Sequence, residues 1–172
     1  QQKVLLEKNK LLKYIKEKTL CGQRVIALAY SDNNEFDRLV LIGFVFLKDN
    51  IRKEAYDVIK DIKLSGVDVV MITGDAKDTA ISIAKELKIL DSDNDIVLTS
   101  NEFNKMSDDE IILKLSNIKV LCRSLPQDKN RLVKLAQRKN LIVGMTGDGI
   151  NDAPALRHAD VGFAMGSGSE IA

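Results

Sequence analysis

The chain has 172 residues, 45% of them hydrophobic and 30% charged, with a net charge of +1. That length suits one compact α/β domain with an appendage, and so balanced a charge gives no ground for expecting nucleic acid or an anionic membrane as partner. The longest apolar run, Leu39 to Leu47, is far short of the ~20 residues a membrane-spanning helix needs.

In chain order, Val4 to Lys18 reads as a helix with Leu5, Leu12 and Ile15 among its apolar positions, too charged for a signal peptide. Arg24 to Tyr30 and Leu39 to Leu47 read as strands joined by the polar turn Ser31-Asp32-Asn33-Asn34, an antiparallel hairpin. At Lys48 and Asp49 the composition changes, which divides the chain into residues 1–48 and 49–172. Beyond that boundary strands alternate with helices. Ile51, Ala55, Val58, Ile59 and Ile62 line a helix face that should stop near Gly66. Val67 to Ile72 is a buried strand that runs into Thr73-Gly74-Asp75, and Ala80, Ile83, Ala84 and Leu87 mark the helix behind it. Ser107-Asp108-Asp109-Glu110 fits a capping box before a helix to about Leu115. A short strand, Lys119 to Cys122, leads through Pro126 to a helix over Asp128 to Lys139. Leu141 to Met145 is the next strand and Asp160 to Met165 the last. Cys21 and Cys122 have no metal-ligand spacing, which fits a reducing compartment, and His158 reads as a structural residue.

Two strand ends carry the chemistry. Thr146-Gly147-Asp148-Gly149-Ile150-Asn151-Asp152-Ala153-Pro154 places two carboxylates and a carboxamide in a glycine-rich turn before a helix. Carboxylates there suit a hard cation such as Mg2+, while glycines and a helix amino terminus suit a phosphate. At the other corner, the Thr73 hydroxyl and the Gly74 N–H suit a phosphoryl oxygen. Two such corners are expected where a parallel sheet presents its carboxyl ends to a ligand. Lys129 falls in the first turn of its helix, where the dipole disfavours a cation; an anionic phosphoryl group would compensate, although a solvated lysine is the plain alternative.

These motifs, in this order, resemble a P-type cation-transporting ATPase. The resemblance rests on Thr73-Gly74-Asp75 with Thr79 to Ala84, on Arg123-Ser124-Leu125-Pro126-Gln127-Asp128-Lys129, on Met145 to Leu156 and on Asp160 to Gly166. The wording is most like calcium pumps and their bacterial relatives. It implies a phosphorylation domain with a haloacid dehalogenase-like Rossmannoid parallel sheet, preceded by a helix and hairpin from the end of the nucleotide domain. It further implies that Asp148 is a Mg2+ ligand with Asp152 shaping the metal site. Asn151, Thr73, Gly74 and Lys129 would contact the transferred phosphoryl group, with Asp75 near the phosphates and Arg24 reaching those of ATP. Asp49 and Arg52 match the ends of a hinge motif, with Asn50 and Ile51 where proline is usual.

The family's nucleophile, the first Asp of Asp-Lys-Thr-Gly-Thr, does not occur in this sequence. The resemblance therefore implies a cytoplasmic piece of an integral membrane protein that needs the rest of the pump, binds its transported cation elsewhere and is inactive alone. A soluble haloacid dehalogenase-like phosphatase and a non-catalytic Mg2+- and phosphate-binding remnant are the alternatives. In the resembled fold the nucleophile strand lies between the strands ending at Thr73 and Thr146. Without it those strands should close up, leave a marginally stable sheet or, the preferred expectation, accept a substitute such as Gly43 to Leu47 or another chain.

Overall fold

A computed structural model describes residues 2–31, 39–48, 50–147 and 150–164, the side chains of residues 2–6 and 150 apart. Helix α1 (Gln2–Leu20) ends in a turn at Gly22, whose φ of +76° favours glycine. The turn feeds an antiparallel hairpin of β1 (Arg24–Tyr30) and β2 (Val40–Leu47), paired from Arg24 with Leu47 to Tyr30 with Val40. Alternation along a strand sends successive side chains to opposite faces. One face turns Phe46 toward α1, where its ring meets Tyr14 edge-on at 5.6 Å. The other leaves Ile26, Leu28, Val45 and Leu47 exposed.

After α2 (Lys53–Leu64) come β3 (Met71–Ile72), α3 (Lys77–Glu86), β4 (Ile96–Thr99), α4 (Ser100–Lys105), α5 (Asp108–Lys114), β5 (Ile118–Cys122) and α6 (Pro126–Arg138). The capping box at Ser107 is present: its side chain accepts from the Glu110 N–H, and Glu110 accepts from the Ser107 N–H. Strands β3, β5 and β4 form a parallel sheet in that spatial order. Its centre is β5, buried on both faces, as apolar parallel strands are. Leu121 packs with Phe103, Ile111, Leu132 and Leu135 on one side, and Val120 and Cys122 pack with Ala80, Ala84 and Ile89 on the other. A second parallel pair, β6 (Gly144–Gly147) and β7 (Val161–Ala164), is joined by a 3-10 turn at Ile150–Asp152 and by α7 (Ala153–His158). Helix α7 packs on α6 and so ties the pair to the larger sheet.

Four expectations need correction. Strand β3 is a strand only over Met71–Ile72, not from Val67, because among the described residues it pairs on one side only, with β5. Strand β6 begins at Gly144 rather than Leu141; Ile142 is 87% exposed and has no sheet partner that would extend it. The strand β4 and helix α4 fall in a stretch that the sequence leaves unassigned. Finally, β2 does not occupy the slot between the two TGD strands: among the described residues it pairs with β1 alone, and the sheet is divided into β4-β5-β3 and β6-β7. A hairpin whose register is already satisfied internally, and whose covered face is held by α1, gains little by opening to fill a parallel slot. The turn at residues 32–34, Asp49 of the hinge motif and Met165 of the last strand lie outside the described residues.

Candidate active site at the strand ends

The corner after β3 is fixed to the loop after β5 by the backbone. The Thr73 N–H donates to the Leu121 carbonyl (2.9 Å), the Ser124 N–H to that of Thr73 (3.0 Å) and the Arg123 N–H to that of Asp75 (3.0 Å). The Ser124 hydroxyl also donates to the Thr73 carbonyl (3.0 Å). Holding these contacts puts Arg123 at φ +50°, a conformation that costs a non-glycine residue about 1 kcal/mol or more. Within the corner, the Thr73 hydroxyl donates to Asp75 Oδ2 (2.9 Å) and accepts from the Asp75 N–H (3.1 Å). Among the described residues, none beyond its chain neighbours comes within 4 Å of where a Cβ on Gly74 would stand, so the backbone there is open to approach. A crevice of about 540 Å³ opens beside it over the ends of the larger sheet, lined by Lys77, Thr99, Ser100 and Arg123 among others.

Arg24 reaches this corner from the hairpin, its Nη2 lying 2.6 Å from Asp75 Oδ1. The Arg24 hydrogen bond holds the Asp75 carboxyl below its usual range, against partial burial, which pushes the other way. A carboxyl depressed in the folded state contributes its stability in full above its unfolded value and loses it as the pH falls through the folded one. The Arg24 contact should therefore persist from neutrality down to about pH 4 and release below it. With Arg24 65% exposed, the contribution is at most about 1 kcal/mol. Titration of the Asp75 carboxyl carbon by NMR checks this; an Arg24→Ala chain that leaves its midpoint unmoved would contradict it.

Lys129 and Asp152 form the second cluster. Lys129 projects from the first turn of α6 and its Nζ donates to Asp152 Oδ1 at 2.5 Å, both side chains largely shielded at 18% and 9% exposure. Asp152 closes the 3-10 turn and packs over Gly147. A Cβ on Gly147 would stand 2.5 Å from Asp152 Cβ and 2.8 Å from its Oδ2, so only glycine permits this approach. Asn151 is exposed on the same turn, while Asp148 lies outside the described residues. Thus Thr73, Asp75 and Arg24 meet at one corner, and Lys129 meets Asp152 at the other. Sequence reasoning missed Asp128, a fully buried carboxylate beside Lys129. Its signal is the acid two positions after Pro126, where a helix's third residue bonds back to the cap N–H.

The family of haloacid dehalogenase-like hydrolases matches residues 3–160. The chain belongs to it. Among curated relatives, the chain is 46% identical to a calcium-transporting ATPase of Listeria monocytogenes over 78% of its own length and 15% of the relative's. It is 40% identical to calcium-transporting ATPase 1 of Lactococcus lactis over 87% of the chain and 18% of the relative, and 40% identical to that of Bacillus cereus over 96% and 20%. It thus spans a fifth or less of the length of these relatives. In this haloacid dehalogenase-like chain, Asn151 and Asp152 offer oxygen donors on the described turn, and oxygen donors suit Mg2+ better than a softer metal. Among the described residues no cluster of three or more metal-ligating side chains occurs, and no helix is long and apolar enough to cross a membrane.

Proposed function

We propose that this chain is part of the catalytic machinery of an ATP-driven cation pump, with Ca2+ the transported ion, working by formation and hydrolysis of an aspartyl phosphate. The observation that carries the proposal is the shielded Lys129–Asp152 pair over Gly147, set at the end of one TGD strand while a second TGD corner sits at the other. The likeness to calcium-transporting ATPases across most of the chain supports it. Residues 1–48 are assigned to the end of the nucleotide domain and 49–172 to the second part of the phosphorylation domain, on the cytoplasmic side of a membrane protein.

In this reading the rest of the parent supplies an aspartate whose carboxylate attacks the γ-phosphorus of ATP, with ADP leaving and its bridging oxygen taking the electron pair. Lys129, Thr73, the Gly74 N–H and Asn151 surround the transferred phosphoryl group, Asp75 lies beside them, and Arg24 holds the nucleotide phosphates. Positioning and charge stabilisation are what such a site contributes. Asp148 and Asp152 would hold Mg2+, which would supply neutralisation of the phosphoryl charge. A strand from the rest of the parent would also pair with β3 and β6, which among the described residues bond only to β5 and β7.

Phosphorylation of the intact parent in membranes, with labelled ATP and acid precipitation, tests this. Label should depend on Mg2+ and vanish in Asp148→Asn, which keeps the shape but removes the charge that holds a hard cation. The isolated 172-residue chain should take up none. Stoichiometric label on the isolated chain, or normal label in Asp148→Asn, would overturn the proposal.

A further inference from the structure

The buried carboxylate of Asp128 has no role in the chemistry assigned above, yet it is fully enclosed. Its Oδ2 accepts from the Ser100 hydroxyl (2.6 Å) and the Leu125 N–H (2.8 Å), and its Oδ1 accepts from the Asn104 amide (2.8 Å). No ion pair accompanies it among the described contacts, so three neutral donors and the amino terminus of α6 stabilise the buried charge. Two of the donors come from α4 and one from Leu125, the cap residue just before α6. The carboxylate therefore pins the first turn of α6 to the α4 end of β4. Lys129 is the next residue in that turn, and its ammonium donates to Asp152.

We propose that Asp128 is a positioning residue for Lys129: it fixes the rotation and depth of the first turn of α6, so that the Lys129 ammonium reaches Asp152 and the phosphoryl position. A lysine side chain has four rotatable carbons, and its ammonium can be placed only as well as its Cα is held. The link runs through the backbone of the turn: the described hydrogen bonds of the Asp128 carboxylate go to Ser100, Asn104 and Leu125, and none goes to Lys129. Its importance for catalysis rests on the role given above to Lys129, but its test does not.

The full 172-residue chain, labelled with 15N-lysine and free of ATP, phosphate and metal, provides the readout: proton exchange from the Lys129 ammonium, assigned by its loss in Lys129→Arg. Lys119, paired with Asp68 at 2.7 Å and similarly shielded, is the internal control. Asp128→Ala should accelerate Lys129 exchange by about fivefold or more, the scale expected when a hydrogen-bonded anchor is lost, and leave Lys119 unchanged. Asp128→Asn, whose carboxamide oxygen can still accept from Ser100 and Leu125, should stay within about twofold of the unaltered chain. The double variant Ser100→Ala with Asn104→Ala leaves α6 untouched and should reproduce the acceleration. If Asp128→Ala does not fold, that double variant decides. Unchanged Lys129 exchange in the double variant would overturn the proposal, as would Asp128→Asn accelerating exchange as much as Asp128→Ala.

Discussion

In the intact parent protein, Lys129→Ala is expected to slow phosphoenzyme formation by about 10²–10³-fold, the usual cost of removing one preorganised charge-stabilising group. The expectation follows from where the ammonium stands. It sits in the first turn of α6, where the helix dipole opposes a cation, and is held there by the shielded Asp152 carboxylate. A compact ammonium fits this position; the planar fork of arginine presents its donors differently, so Lys129→Arg should recover little of the rate. Truncation also removes one partner of the largely buried Asp152 carboxylate, so some loss of stability should accompany the loss of rate. Rapid-quench phosphorylation reads the rate, and circular dichroism of the isolated variant separates lost chemistry from lost fold. Phosphorylation within about threefold of normal in a folded Lys129→Ala protein would remove Lys129 from the transition state.

Phe103→Ala should destabilise the isolated chain by about 3–5 kcal/mol, the range for deleting a buried aromatic. Phe103 is fully enclosed among Ile111, Leu115, Leu121, Leu132 and Leu135, and the Arg131 guanidinium lies 4.9 Å from its ring centre. That arginine also donates to the carbonyls of Phe103 and Met106 and to Asp108, and so clamps the α4–α5 loop onto α6. The ring thus supports both the core and the clamp. Against a total stability of about 5–15 kcal/mol for a domain, the loss should bring the urea midpoint down sharply. A shift worth less than about 1 kcal/mol would show that this cluster is not the core it looks to be.

Much of this was legible in the sequence where periodicity and punctuation agree. The capping box at Ser107 names its own donors and acceptors, and Gly22 and Gly66 end their helices at positive φ. The TGD corners stood out because their glycines and acids follow apolar runs. What the sequence hid depends on partners. Ile96-Val97-Leu98-Thr99 is too short to show a period, and becomes a strand only because β5 pairs with it. Val67 to Val70 is apolar enough for a strand, but pairing begins at Met71. The same holds for the site. Asp128 looks like any acid near a helix start until Ser100 and Asn104, over twenty residues earlier, are seen to enclose it. Likewise the Arg24–Asp75 contact spans 51 residues and has no local signature.

The division of the sheet gives the two halves of the site unequal stiffness. On β5 and α6, Ile118, Val120, Leu121, Asp128 and Leu135 are all enclosed. Strand β7 is exposed throughout, and β6 presents every second residue to solvent. Opening free energy tracks buried contact density, so backbone amides of β5 should exchange only near global unfolding while those of β6 and β7 exchange by local opening. Lys129 therefore belongs to a rigid wall and Asp152 to a compliant one. The short turn that carries Asn151 and Asp152 bridges the two, since Asp152 is bonded to Lys129.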